Sequence, residues 1–169
     1  MMIRQETPQD YDEVHRMVKL SFATAPHSDG TEADYLNSIR KKDTFIPELS
    51  LVAVENDSIV GQIVLYETMV QLPHKALVEL VISPLSVHPA YFKRGIATAL
   101  VEEGLAQAQK MGYKAAFLCG DPNFYRKLGF TATYHDGIYH VKDERAEWCM
   151  VKEIVSGFLN TISGTIDIE

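Results

Sequence analysis

The spacing of apolar positions changes several times along this chain, and each change marks an element. Residues 2–6 are short and partly apolar, the pattern of a first strand. Tyr11, Val14, Val18 and Phe22 then recur at helical spacing. Thr7-Pro8 ahead of them offers an N-cap and a first-turn proline, with Asp10 at the third helical position. Residues 23–30 read as a loop around Pro26 and Gly30. Thr31, followed three residues on by Asp34, has the form of a capping box. It opens a second helix whose apolar face is Tyr35, Leu36 and Ile39.

Residues 49–55 and 59–69 are runs rich in Val, Ile and Leu, separated by the turn cluster Asn56-Asp57-Ser58. They predict a hairpin. Gly61 inside the second run marks a bulge or a close backbone approach. Residues 75–87 are apolar on both alternating faces, as a central strand covered on both sides would be. Pro84 interrupts that strand and cannot complete a regular ladder, so a bulge or splay is expected there.

Ala97, Leu100, Val101, Gly104, Leu105, Ala108 and Met111 next return to helical spacing, and Gly112 offers a stop. Residues 114–119 form a short strand. Asp121, Pro122 and Gly129 then cap, start and stop a short helix over 122–128. Residues 131–134 and 146–154 are the expected last strands, and 156–169 have no clear pattern. The reading is a mixed α/β (α+β) fold. It has one domain over 1–155 and a C-terminal extension over 156–169.

Length and composition narrow the function classes. A chain of 169 residues can bury a real core. Hydrophobic residues at 46% and charged ones at 23% are ordinary for a globular protein, and no run is long enough for a membrane span. A net charge of −7 argues against a nucleic-acid surface, which needs clustered cations. Cys119 and Cys149 are the only cysteines, which is neither a disulfide framework nor a zinc site. A reducing, cytoplasmic location is the default expectation, with no metal.

The chemistry centres on the strand–loop–helix unit at 87–110. Lys93 and Arg94 stand just before Gly95 at the helix entrance. A helix N-terminus carries unpaired N–H groups and partial positive charge, and glycine admits an anion close to that backbone. Two readings stand side by side: a phosphate cradle, or a glycine cap beside two solvated cations. The stretch is neither a Walker loop nor a dinucleotide fingerprint.

Phe92-Lys93-Arg94-Gly95-Ile96-Ala97 resembles the acyl-CoA pyrophosphate loop of the GNAT superfamily of N-acetyltransferases, written Q/R-x-x-G-x-G/A. Gly95 and Ala97 match, and Phe92 stands where the family prefers Gln or Arg. Tyr125, Leu128, Gly129 and Phe130 resemble the family's second signature, Tyr, three residues, Gly-Phe. The two motifs lie in the family's order and at its spacing. The resemblance implies a GNAT-like mixed central sheet flanked by helices, with splayed central strands. It also implies acetyl transfer from acetyl-CoA to an amine, in a small molecule or a protein, by direct attack in a ternary complex.

Site residues follow from that resemblance. Backbone groups of Leu85, Ser86 and Val87 and of Lys93, Arg94, Gly95, Ile96, Ala97 and Thr98 are the candidate CoA contacts. Tyr125 is the candidate acid for the departing thiolate; a packed aromatic is its plainer alternative. Glu79, on the central strand, is the candidate base, with an ordinary strand-end charge as the alternative. The chemistry needs no metal. Family members are often dimers, so a homodimer is an expectation of the resemblance alone. A non-catalytic acyl-CoA-binding sensor on the same fold is the competing function.

Overall fold

β1 (Met2–Gln5) opens the chain, and a turn at Pro8–Asp10 leads into α1 (Tyr11–Phe22). Asp10 closes that turn: its carboxylate accepts from the Thr7 N–H at 2.8 Å and from Arg4 at 2.7 Å. α2 (Glu32–Ile39) follows. The expected Thr31–Asp34 box does not form there. The Thr31 hydroxyl donates to Asp29 instead, and Asp34 pairs with His15. β2 (Ser50–Glu55), β3 (Ser58–Gln71), β4 (Ala76–Val87) and α3 (Ile96–Lys110) complete the first half. β5 (Ala115–Cys119), α4 (Pro122–Tyr125), β6 (Thr131–Ala132), β7 (Ile138–His140), β8 (Cys149–Glu153) and β9 (Gly164–Ile166) form the second. The computed structural model describes every residue from Met1 to Glu169. Its contacts gather into two units. One is Met1–Tyr66 with Ser83–Gln107, and the other is Glu67–Ile82 with Ala108–Glu169.

In the first unit β1, β2 and β3 pair antiparallel. Asn56 and Asp57 both take positive φ, which is the geometry a two-residue hairpin turn demands. The ladder slips one residue between Ala53 and Val54, opposite Gly61 and Ile59. That slip changes which face each side of β3 serves. Ile59 packs with Val52 and Val64 against Val14, Met17 and Val18 of α1 and Leu36 and Ile39 of α2. Strict alternation would put Ile59 and Val64 on opposite faces; the bulge reverses the parity between them. Gly61 takes the other face. A Cβ there would stand 2.9 Å from Ile96 and 3.0 Å from Leu100. Gly104 gives the same close approach on α3, 2.8 Å from Leu65.

Glu6 and Arg40 form an ion pair whose side chains are 3% and 5% exposed, and Ser50 donates to the same carboxylate at 2.7 Å. Removing one partner would strand a buried charge, at about 3–5 kcal/mol.

In the second unit the turn between β3 and β4 closes through the Leu72 N–H to the Lys75 carbonyl. β4 pairs with β5 in parallel at only two positions, Leu80↔Ala116 and Val81↔Phe117. β5 runs further, against β8, to Cys119. Residues 133–136 turn into a 3-10 helix rather than extending the strand expected over 131–134. The C-terminal segment, patternless in sequence, is folded: β9 pairs antiparallel with β3 and parallel with β7. Ile166 and Ile168 bury there. The nine strands and four helices make the mixed fold expected, with parallel pairs at β4–β5 and β7–β9.

Candidate active site

The loop between β4 and α3 is set by backbone conformation more than by side chains. His88 Nδ1 accepts from the Ala90 N–H at 3.1 Å and starts a 3-10 turn over Pro89–Tyr91. Lys93 and Gly95 then both take positive φ, at 62° and 78°, with Arg94 between them. Such alternation turns successive N–H groups toward one side, a concavity suited to an anion. At Gly95 a side chain would meet nothing within 4 Å, so glycine there serves the φ angle and leaves the approach open. The first intrahelical bond of α3 runs from the Ala99 N–H to the Gly95 carbonyl. The N–H groups of Ile96, Ala97 and Thr98 precede it and have no intrahelical acceptor.

Each residue of the loop has a separable part. The Ile96 side chain is buried against Gly61 of β3 and anchors the loop at the start of α3. The Lys93 and Arg94 side chains are exposed, and the Arg94 guanidinium lies 4.9 Å from the Tyr91 ring centroid. Phe92 is 49% exposed.

The end of β4 is prepared in the same way. The His88 N–H donates to the Val60 carbonyl of β3. Successive strand residues turn their N–H and C=O to opposite edges, so Ser86 faces β3 as His88 does, and Leu85 and Val87 face away from it. Gln62 holds this segment: its Nε2 donates to Ser86 Oγ at 2.9 Å and to the Pro84 carbonyl at 3.2 Å. The Ser86 hydroxyl is therefore engaged inside the protein, and what Ser86 offers outward is position. The Ser83–Pro84 peptide is cis. In sequence Gln62 is marked only as a polar residue beside Gly61 in an otherwise apolar run; its burial appears in the structure alone.

Tyr125 lies in the second unit, at the end of α4. Asp121 caps that helix by accepting from the Asn123 N–H at 2.9 Å. The Tyr125 ring packs edge-on against Phe124 and Phe130, with centroids 4.9 and 5.7 Å away. Gly120 is the third support. A Cβ there would lie 2.3 Å from Tyr125 Cε2, so the ring occupies the space a side chain would need. Gly129 takes φ 88° and lets the Phe130 N–H return to the Tyr125 carbonyl. Burial, helped by the Asp121 charge, pushes the Tyr125 hydroxyl up to about 12. It is neutral and proton-bearing at neutral pH.

Glu79 is 5% exposed. Its Oε2 accepts from the N–H groups of Lys114 and Ala115, at 2.9 and 3.1 Å, where β5 begins. Desolvation raises its pKa against the opposing pull of those two bonds.

Residues 2–133 match the acetyltransferase (GNAT) domain family. The chain belongs to the GNAT acetyltransferase family. A curated relative, the N-acetyltransferase YhbS of Escherichia coli K12, is described as uncharacterized. It is 30% identical over 99% of this chain and 95% of its own length. The crystal structure of Escherichia coli YhbS in complex with CoA superimposes with a TM-score of 0.82, at 26% identity. The match covers 99% of this chain and 89% of that one. A GNAT acetyltransferase from Brucella melitensis in complex with acetyl-CoA gives 0.77 at 25% identity, over 99% and 95%. This chain is thus a GNAT-fold acetyltransferase, and both motifs quoted from its sequence lie within the matched span.

Proposed function

We propose that this protein transfers an acetyl group from acetyl-CoA to an amine, by direct attack of the amine within a ternary complex. The observation that carries this reading is the cradle. Lys93 and Gly95 are left-handed on either side of Arg94, ahead of three amides at 96–98 that lack helical acceptors. Those amides suit a diphosphate, and Lys93 and Arg94 add positive charge at its rim. The outward N–H and C=O groups of Leu85 and Val87 suit the amide-bearing arm of CoA, as a strand edge suits an added strand. Acetyl-CoA supplies the thioester carbonyl and the thiolate leaving group.

The protein's own groups handle the protons. Tyr125 donates its phenolic proton to the departing sulfur. A hydroxyl pushed up to about 12 holds its proton through the approach; transfer to a free thiolate, whose ordinary pKa is ~8.5, is uphill, so its hydrogen bond to the sulfur is made as charge develops there. Two roles fit Glu79. Oε1 carries no protein hydrogen bond and can take a proton from the amine. The two amide bonds to Oε2 favour the other role, fastening the start of β5.

No helix is long and apolar enough to cross a membrane. The two free cysteines suit the reducing cytoplasm.

The test begins with thermal melting in the presence of acetyl-CoA, ATP or NAD. A ligand that binds the folded state at 100 times its Kd adds about 2.7 kcal/mol. A shift with acetyl-CoA alone supports the reading, and no shift with it defeats the reading. Release of free CoA thiol across a panel of amines then separates an enzyme from an acyl-CoA sensor: a sensor binds and releases nothing.

A further inference from the structure

We propose that Cys119 and Cys149 are a redox pair that closes into a reversible cross-strand disulfide under hydroperoxide. The two residues stand directly opposite each other, on β5 and β8. Their register is the favourable one. The Gly120 N–H donates to the Trp148 carbonyl at 2.9 Å, and the Ile154 N–H to the Lys114 carbonyl at 2.8 Å. Even-numbered positions of β5 are thus the hydrogen-bonded pairs. Cys119 and Cys149 fall at a non-hydrogen-bonded pair, where opposite Cα atoms stand about 4.5 Å apart and side chains are closest. That separation lies within the range a disulfide spans.

Both thiols are free, Cys149 buried and Cys119 half-buried. Each sulfur has a polar neighbour. Cys119 Sγ lies 3.6 Å from the Ile168 carbonyl, and the Thr133 hydroxyl donates to Cys149 Sγ at 3.5 Å. The Cys119 thiol, the Thr133 hydroxyl and nearby His140 favour the thiolate at Cys149 against the opposing pull of burial, and lower its pKa. The same pairing, with burial, pushes Cys119 up. Cys119 is the sulfur within reach of solvent and meets the oxidant, and Cys149, directly opposite, is in place to complete the bridge.

The chemistry balances with a hydroperoxide as oxidant. The thiolate attacks the terminal peroxide oxygen, the O–O bond breaks, and the alkoxide leaves and takes a proton as an alcohol, or as water from hydrogen peroxide. The sulfur becomes a sulfenic acid. The neighbouring sulfur attacks it, an S–S bond forms, the S–O bond breaks, and the hydroxyl leaves with the second thiol's proton as water. Two thiols lose two electrons and two protons in all, and a dithiol reductant reverses the step.

The experiment uses the full-length reduced protein and stoichiometric hydrogen peroxide. The sample is quenched with an alkylating reagent and analysed by intact mass and peptide mapping. The expected result is a monomer lighter by two hydrogens, unalkylated, with the peptides carrying Cys119 and Cys149 joined, and full alkylation restored by dithiothreitol. Cys119→Ser and Cys149→Ser should each abolish the intramolecular link. The mapping of the unmodified chain stands alone should either variant misfold. Two alkylated thiols, a disulfide-linked dimer, or oxidation only to sulfinic and sulfonic acids would each overturn the proposal.

Discussion

The cradle of the first unit and the tyrosine support of the second solve different problems with glycine. At Gly95 the residue supplies an angle: φ is 78°, and nothing stands within 4 Å of where a Cβ would be. At Gly120 it supplies volume, since a Cβ would fall 2.3 Å from the Tyr125 ring. On the proposed reading the first site binds through amides, so its side chains are free to vary as long as the conformation holds. On the same reading the second acts through one hydroxyl, so it depends on what packs around a ring. Substitutions at the two should therefore fail differently, one in affinity and the other in turnover.

The largest effect is expected from Gly95→Glu. A non-glycine residue at this φ costs about 1–2 kcal/mol, which the fold can bear. A carboxylate within ~4 Å of a diphosphate adds repulsion on the order of 4 kcal/mol at an effective dielectric of ~20. The CoA dissociation constant should rise at least ~100-fold, measured by calorimetry, while the melting temperature drops only modestly. Unchanged affinity would remove the cradle from the binding site. Tyr125→Phe comes next and should show the opposite signature. Loss of a general acid lowers turnover by roughly 100-fold, with CoA affinity retained. Equal turnover would leave Tyr125 as a packed aromatic.

Gly120→Ala tests whether the ring's support matters apart from its hydroxyl. The added methyl has nowhere to go except against Tyr125, an overpacking worth about 1–3 kcal/mol in stability. A small displacement of a catalytic group is also costly, so turnover should fall by roughly tenfold with CoA affinity intact. Turnover that stays level while the melting temperature falls would show that the position of the ring is not critical.

Both glycines differ in how visible they were in the sequence. Gly95 stood out because lysine and arginine precede it and a periodic apolar stripe follows, so local pattern sufficed. Gly120 needed the tertiary contact with Tyr125. Gln62 likewise takes its meaning from tertiary contact, where its amide holds Pro84 and Ser86. The long elements were legible: α3 runs Ile96–Lys110 with Gly112 at φ 91°, and β3 and β4 follow their apolar runs. The parts that escaped are those decided by partners far along the chain. β9 is three residues of ordinary composition that become a strand because β3 and β7 flank them. The Thr31–Asp34 box matched its motif and still lost to bonds with Asp29 and His15.

The smallest effect belongs to Glu79→Gln, and it separates structure from catalysis at a residue where the two coincide. Glutamine keeps an oxygen to accept from Lys114 and Ala115 and removes the buried charge. Burial raises the Glu79 pKa above its ordinary value of 4.5. A carboxyl whose pKa is raised on folding contributes stability below the unfolded value and loses that contribution as pH climbs through the folded one. The stability of the unmodified protein relative to Glu79→Gln should therefore decline as pH rises above 4.5, and level off once the folded carboxyl is ionised. Paired melts from acid to neutral pH read this directly; a flat difference would mean the carboxyl is not perturbed by folding. Turnover supplies the second axis. If fastening the start of β5 is the main work of Glu79, turnover stays within about threefold, whereas loss of a general base would lower it by roughly 100-fold or more. A collapse of turnover with the melts unchanged would move Glu79 from the frame of the second unit into the reaction.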